Sequence, residues 1–188
     1  MKGVDRGQSG HQNMATSPDM LKVSVFATPL GYWALLGRNK VLYAATVGQP
    51  HAYAAQSAFA EPYDGLAIEQ TVSNWYPELR QRLERYAAGD RVQFDDIQLC
   101  DPGRTAFQQQ IIEVTRNLKY GETITYGELA ARADRPRAAR AVGTVMSSNR
   151  FPIIVPCHRV VGAAGGLGGY SAPQGLSLKT QLLELESQ

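Results

Sequence analysis

The sequence contains few cysteines, no long apolar run and little net charge. Cys100 and Cys157 are its only cysteines among 188 residues, too few for a disulfide framework or a four-thiolate zinc site. No apolar run approaches the ~18 residues that cross a bilayer, and residues 1–20 contain no apolar stretch of the kind found in a signal peptide. We therefore expect a cytoplasmic monomer, nuclear in a eukaryote, that does not contact a membrane.

Charge and motif content exclude further classes of protein. The 19 Lys and Arg residues nearly balance 17 Asp and Glu residues, giving a net charge of +2, which neither requires nor excludes nucleic acid. The three histidines form no H-E-x-x-H pattern, so we predict no metal site. Neither a phosphate-binding P-loop nor a Rossmann fingerprint is present. We predict that the protein works without a cofactor.

The N-terminal half alternates β-forming segments with turn residues. After a flexible leader at 1–20, residues 21–28, 32–37 and 41–48 predict a three-stranded antiparallel meander. A loop is expected to follow through Pro50 and Pro62.

A helix is predicted next, because Leu79, Leu83 and Tyr86 fall at helical spacing and Gly89 ends the pattern. Residues 91–100 are expected to return to the sheet. The sequence thus predicts a small α/β domain, an antiparallel sheet plus a helix, over residues 21–101.

The C-terminal half, residues 102–188, reads as mainly helical. A first helix presents one apolar face, and Thr125 and Glu128 form a capping box that opens a second. Asp134 and Pro136 predict a third helix that starts after a short turn and ends near Asn149. The first apolar face contains Phe107, Ile111, Val114 and Leu118. The tight connection predicts a helix-turn-helix, in a winged-helix-like domain.

The segment after Asn149 carries the candidate chemistry. A short apolar strand is predicted at 153–155, before Cys157 and His158, and a loop with five glycines follows at 162–169. A closing helix is predicted from Leu178, Leu182 and Leu185.

Cys157 is the candidate nucleophile because its neighbours, His158 and Arg159, are cations that lower a thiol pKa. Cys100, at the end of an amphipathic strand, lacks such neighbours. If the segment is extended, adjacent side chains point to opposite faces, so a water would relay between Cys157 and His158. A carboxylate beyond the imidazole would fix its tautomer.

Arg140 is the one long side chain in a run of small residues, Ala138, Ala139, Ala141 and Gly143. On a helix, such residues permit close approach to a partner. Arg132, Arg135 and Arg137 lie on or beside the same pair of helices, which favours contact with phosphates.

FPIIVPCHRVVG at 151–162 resembles the active-site signature of the O6-alkylguanine-DNA alkyltransferases, a specific motif. The flanks agree in order and spacing: PRAARAVGTVMSSN precedes it, and GGYS and LLELE follow. The resemblance covers residues 107–186. It implies repair by irreversible, single-turnover transfer of an alkyl group from O6 of guanine in double-stranded DNA to Cys157, with the base flipped out through the minor groove.

The resemblance also implies roles for individual residues. His158 would be the base acting through water, Glu186 the carboxylate that orients it, and Asn149 the brace of the loop before Cys157. Tyr126 would donate a hydrogen bond to the guanine ring, and Arg140 would replace the flipped nucleotide. The remaining implied residues contact DNA (Ala138, Ala139, Ala141, Gly143, Arg137 and Thr125) or line the base pocket with Tyr126 (Pro152, Val160, Tyr170 and Ser171).

The chain departs from the family pattern at three places. Ile112 stands where the family often has tryptophan, and Leu118 to Gly121 reads L-K-Y-G rather than I-P-x-G. Two extra residues follow Ser171, before the last helix. A sequence-specific transcription regulator with a sensor cysteine is the main alternative. The others are a binding-only relative, against which Cys157 speaks, and a Cys-His hydrolase.

Overall fold

The computed structural model describes residues 20–60, 63 and 65–188. The predicted leader, except Met20, and Pro62 lie outside them. Within the described residues, no helix is long and apolar enough to cross a membrane.

The predicted meander is confirmed. Its antiparallel strands are β1 (Leu21–Thr28), β2 (Gly31–Arg38) and β3 (Val41–Gln49). Asn39 and Lys40 connect β2 to β3 with φ of 51° and 62°, the left-handed conformation at both central positions that a two-residue type I′ hairpin needs.

The sheet is larger than predicted and mixed rather than antiparallel. Strand β4 (Ile68–Val72) pairs with β1 and strand β5 (Gln98–Leu99) with β3, both in parallel, so the order is β4-β1-β2-β3-β5. Of the predicted return at 91–100, only Gln98 and Leu99 form a strand. Strands that rejoin a sheet after a long connection can run parallel, whereas short hairpins force antiparallel pairing.

Two helices cover this half of the chain. Helix α2 (Pro77–Ala87) is the predicted one and buries Leu79, Leu83 and Tyr86. Helix α1 (Ala52–Ser57) lies in the predicted loop. Its N-cap is His51, whose Nδ1 accepts from Ala54 N at 3.1 Å; histidine is not among the preferred N-cap residues, so the sequence gave no start signal.

The second half is mainly helical, with one short parallel ladder between β6 and β7. Its elements in chain order are α3 (Ala106–Arg116), β6 (Ile124–Thr125), α4 (Tyr126–Arg132), α5 (Ala139–Ser147), β7 (Val160–Val161) and α6 (Leu176–Glu186). The capping box of Thr125 and Glu128 at the start of α4 is confirmed.

Helix α5 does not begin at Asp134 as predicted. Asp134 has a φ of 56°, which is not an N-cap conformation, and Ala138 N donates to Arg135 O at 2.8 Å across a turn that contains Pro136. That turn delays the helix to Ala139. The helix also ends before Asn149, with Ser148 as its C-cap.

The predicted strand at 153–155 is wrong as well. Ile153 has a φ of 74°, and Val155 N donates to Phe151 O at 2.8 Å. The segment is a tight buried turn, and its apolar residues are buried by coiling rather than by pairing in a sheet.

The largest apolar core contains residues from both halves of the chain. It joins side chains of the sheet and α2, such as Trp33 and Leu83, to Phe151 in the tight turn and to Leu178 and Leu182 on α6. The boundary near residue 101 remains a prediction, and the two halves share this core.

Candidate active site

Cys157 opens a single 3-10 turn, Cys157–Arg159, between the tight buried turn and β7. Its N–H donates to Val155 O at 2.7 Å. The extended geometry assumed for Cys157 and His158 is therefore wrong. Cys157 is 8% exposed, and it borders a cavity of about 220 Å³.

The cavity gathers many of the predicted site residues. Asn149, Pro152, Tyr170 and Ser171 line it together with Cys157. Strand β3 of the N-terminal half forms another wall, with residues 45–47 and Gln49, which the sequence did not indicate. Val160 is fully buried and is not part of the lining.

Asn149 connects the end of α5 to Cys157. Its Nδ2 donates to Val155 O at 2.9 Å and to Cys157 Sγ at 3.1 Å. Its Oδ1 accepts from Phe151 N at 3.0 Å. The amide thus holds both ends of the tight turn and offers the sulfur a hydrogen-bond donor.

His158 and Glu186 form a buried pair. Nε2 of His158 lies 2.9 Å from Glu186 Oε1, and the two residues are 0% and 3% exposed. Arg159 grips the same carboxylate with two hydrogen bonds, from Nε to Oε2 at 2.8 Å and from Nη2 to Oε1 at 2.9 Å. No described residue hydrogen-bonds His158 Nδ1.

The ionisation of these groups follows from burial. Burial raises the pKa of Cys157, although Asn149 and the charge of Lys179 oppose the rise. Burial also lowers the pKa of His158 against the attraction of Glu186. The expectation that adjacent cations lower the thiol pKa is not met, because Arg159 turns to Glu186 and to Leu118 O at 2.7 Å.

Glu186 stays ionised in this environment. Burial raises the pKa of Glu186, but hydrogen bonds and charges of His158 and Arg159 outweigh it and hold this pKa well below the usual carboxyl value. Two further buried residues meet the site, and sequence reasoning missed both. Tyr86 OH donates to Glu186 Oε1 at 2.5 Å, and Lys179 lies under the glycine loop.

Lys179 is 0% exposed. Its Nζ donates to Val160 O at 2.6 Å and to Gly169 O at 3.1 Å, and burial lowers its pKa to about 8. The spacing of Leu178 and Leu182 places Lys179 beside the apolar face of α6, but nothing in the sequence shows that its stem is enclosed. The Val160 carbonyl, predicted to receive a guanine amine, already has one donor.

Tyr126 begins α4 and is half-buried. A Cβ at Gly168 would lie 2.8 Å from Tyr126 OH, and Gly168 has a φ of 70°. Only glycine fits there. The glycine loop therefore approaches Tyr126 closely, although Tyr126 does not border the cavity beside Cys157.

Helix α5 presents Arg140 and Ala141 to solvent, and Arg137 is exposed in the preceding turn. Among the described residues, no partner is found for the Arg140 side chain. Ala138, Ala139 and Gly143 are partly exposed. Thr125 caps α4, accepting from Glu128 N at 3.2 Å, and is thus occupied locally.

Known proteins resemble the chain in sequence and in structure. Residues 106–188 match the family model of the 6-O-methylguanine DNA methyltransferase DNA-binding domain. A methylated-DNA–protein-cysteine methyltransferase of Methanosarcina acetivorans is 45% identical over 112 residues, 60% of this chain and 69% of that protein. One of Mycobacterium leprae is 46% identical over 112 residues, 59% of this chain and 65% of that protein.

The chain belongs to the O6-alkylguanine-DNA alkyltransferase family. Solved structures agree with this family assignment: Mycobacterium tuberculosis OGT in complex with DNA superposes with a TM-score of 0.72 at 34% identity, covering 88% of this chain and 93% of that one. The O6-methylguanine-DNA methyltransferase of Pyrococcus kodakaraensis gives 0.69 at 28% identity, covering 90% and 100%. The resemblance read from residues 107–186 is confirmed.

These alkyltransferase relatives give no support to a transcription regulator. Within the described part of the chain, no group of His, Cys, Asp and Glu residues is arranged to hold a metal ion. What the site offers instead is a thiol in a cavity, an imidazole beside it and a buried carboxylate behind the imidazole.

Proposed function

We propose that the protein repairs DNA by moving an alkyl group from O6 of guanine to Cys157 Sγ. The observation that carries this is the position of Cys157 at a cavity of about 220 Å³, with Asn149 Nδ2 on its sulfur. A soft sulfur nucleophile suits attack at an alkyl carbon. The family membership supplies the substrate.

The reaction balances without a cofactor. The thiol proton leaves, the sulfur attacks the alkyl carbon, and the carbon–O6 bond breaks with its electron pair passing to guanine. The guanine anion then takes a proton, a step assigned to the Tyr126 hydroxyl with solvent restoring it. The product is a thioether, and Cys100 is not among the residues bordering the cavity. Each molecule therefore reacts once.

His158 takes the thiol proton through a water. Its Nδ1, which has no partner among the described residues, is the acceptor, and Glu186 on Nε2 stabilises the imidazolium that forms. Burial keeps both thiol and imidazole neutral beforehand, because it raises the pKa of Cys157 and lowers that of His158. Thiolate thus arises by internal proton transfer when a substrate is bound.

The remaining pocket residues hold the base. Tyr170 and Ser171 line one side of the cavity and Pro152 another, while Val160 and Cys157 present main-chain carbonyls to the exocyclic amine. Ser171 Oγ donates to Ser147 O at 3.0 Å, which leaves its backbone N–H as the group facing guanine O6.

DNA binds along α4 and α5, which we interpret as a helix-turn-helix in a winged-helix-like domain covering 102–188. Arg140 enters the minor groove and occupies the gap left by the flipped base. The small neighbours Ala138, Ala139, Ala141 and Gly143 permit close approach, and Arg137 and Thr125 lie at the phosphates. We expect a monomer, cytoplasmic or nuclear.

The test is incubation with duplex DNA that contains labelled O6-methylguanine, followed by peptide mass measurement. One added methyl group on Cys157, no more than one per molecule, supports the proposal. Repeated turnover of an acyl substrate favours the hydrolase, and lesion binding without transfer favours the binding-only relative. A label on Cys100 would refute the assignment of Cys157.

A further inference from the structure

Tyr86 lies on α2, in the N-terminal half, yet its hydroxyl reaches the centre of the site. The hydroxyl donates to Glu186 Oε1 at 2.5 Å and lies 3.3 Å from His158 Nε2. We propose that Tyr86 is a positioning residue for the Cys157 reaction: with Glu186, it holds His158 with its proton on Nε2 and leaves Nδ1 to face the thiol. This inference rests on the proposed function.

The hydrogen bonds leave one arrangement of protons. A tyrosine hydroxyl has one proton to donate, and the carboxylate oxygen at 2.5 Å takes it. Tyr86 can therefore only accept from His158, as can the ionised Glu186. Both acceptors need a proton on Nε2. A proton on Nδ1 would set the Nε2 lone pair against two oxygens, which is repulsive.

No other described residue hydrogen-bonds both members of the pair. Arg159 holds the carboxylate through a two-point contact but does not donate to His158. Gly121 N reaches only Glu186 Oε2, at 3.2 Å. Tyr86 thus determines where the imidazole lies relative to the carboxylate.

The tyrosine ring is itself immobilised. It is 0% exposed and packs at centroid distances of 6.4 Å from Trp33, 6.1 Å from Phe94 and 6.2 Å from Tyr120. The hydroxyl is held in place before any substrate arrives, so little ordering entropy is lost on forming its bonds. The N-terminal half thereby contributes a side chain to the chemistry.

Other charged and titratable groups face the pair from each element packed on it. Arg159 in the 3-10 turn and Lys179 on α6 oppose protonation of His158. Tyr120, before β6, feels the charge of Glu186, as does Tyr170 after the glycine loop. Cys157 completes the set. None of these groups other than Tyr86 and Glu186 hydrogen-bonds His158 Nε2.

The first experiment uses the unaltered protein. Nitrogen NMR of the protein labelled in its three histidines reports the tautomer of each ring. We expect neutral His158 to carry its proton on Nε2, with Nδ1 unprotonated. A proton on Nδ1 would overturn the proposal without any substitution.

The second experiment measures single-turnover transfer by Tyr86→Phe over a range of pH, at saturating protein. The plateau rate should fall about tenfold, because one of two acceptors for Nε2–H is lost. The rise of the rate with pH should move to lower pH, because the carboxylate, with one donor fewer, holds the imidazolium proton more tightly. A purely structural defect would not move that limb.

Tyr120→Phe is the matched control. Its hydroxyl donates to Leu185 O at 3.3 Å, next to Glu186 but not to it, so its rate and pH profile should stay as in wild type. In a Glu186→Gln background, Tyr86→Phe should cost less than in wild type, because the two act together. Equal costs in both backgrounds, or an unchanged profile in Tyr86→Phe, would refute the proposal.

The proposed function fails separately. If wild-type protein does not place an alkyl group on Cys157, the reaction itself is wrong. If wild type transfers normally and Tyr86→Phe does so with the same pH profile, only the role of Tyr86 is wrong.

Discussion

Replacing Glu186 with glutamine tests stability and chemistry at one position. The carboxylate is the only acidic side chain that pairs with Arg159 among the described residues, and the Arg159 side chain is 8% exposed. Removing one partner of a buried ion pair costs about 3–5 kcal/mol of unfolding free energy. Glutamine keeps the shape and one acceptor oxygen, so we expect the lower end, about 3 kcal/mol.

That loss should lower the melting temperature by about 6–12 °C at pH 7. The difference should shrink in acid. The pKa of Glu186 is held well below the usual carboxyl value of 4.5 in the folded state, so its contribution is fully present above about pH 4.5 and is lost as the pH falls toward the folded pKa. Calorimetry of both proteins from pH 7 to pH 3 measures this convergence.

The same variant should react more slowly. Without the carboxylate the imidazolium of His158 is less stable, so thiolate forms less readily and the rate should rise only at higher pH. Glu184, one of the exposed residues of α6, provides the control Glu184→Gln, with no expected change. A wild-type rate at every pH, or a melting difference that does not shrink in acid, would refute this reasoning.

Three further substitutions test other parts of the site. Cys157→Ala should abolish transfer and leave lesion-DNA binding nearly unchanged in a binding assay, whereas Cys100→Ser should transfer normally. Arg140→Ala should slow duplex repair about 10- to 100-fold at saturating protein, since flipping costs a few kcal/mol, but not reaction with free O6-benzylguanine; an unchanged duplex rate would demote Arg140 to a phosphate contact. Lys179→Met should remove a rise in stability between about pH 8 and 10.5, because burial lowers the pKa of Lys179 to about 8 from 10.5 and the unfolded chain binds the extra proton in that window; identical pH dependence in both proteins would exclude it.

Local signals in the sequence predicted local structure well. The turn residues around Asn39 and the capping box at Thr125 act within a few positions of themselves, so the meander and α4 came out as predicted. Asp134 carried an equally good cap signal and was wrong, because the turn containing Pro136 claims the chain first. A local signal decides only where no neighbouring turn competes.

Long-range contacts explain what the sequence did not reveal. The pairing of Glu186 with His158 followed only from the family resemblance, whereas the contact of Tyr86 crosses 100 positions to Glu186. On its helix, Tyr86 looked like one more core residue beside Leu79 and Leu83. A polar group at the tip of an apolar ring becomes visible as functional only when its partner is known.

The core shared by the two halves bears on how the protein can be shortened. Phe151, Leu178 and Leu182 pack in one cluster with side chains of the N-terminal sheet and α2. A fragment beginning near residue 102 would expose these apolar surfaces to water, together with the tight turn that carries Cys157. Such a fragment would need surface redesign at those positions to remain dispersed, even though the residues matched by the family model begin at 106.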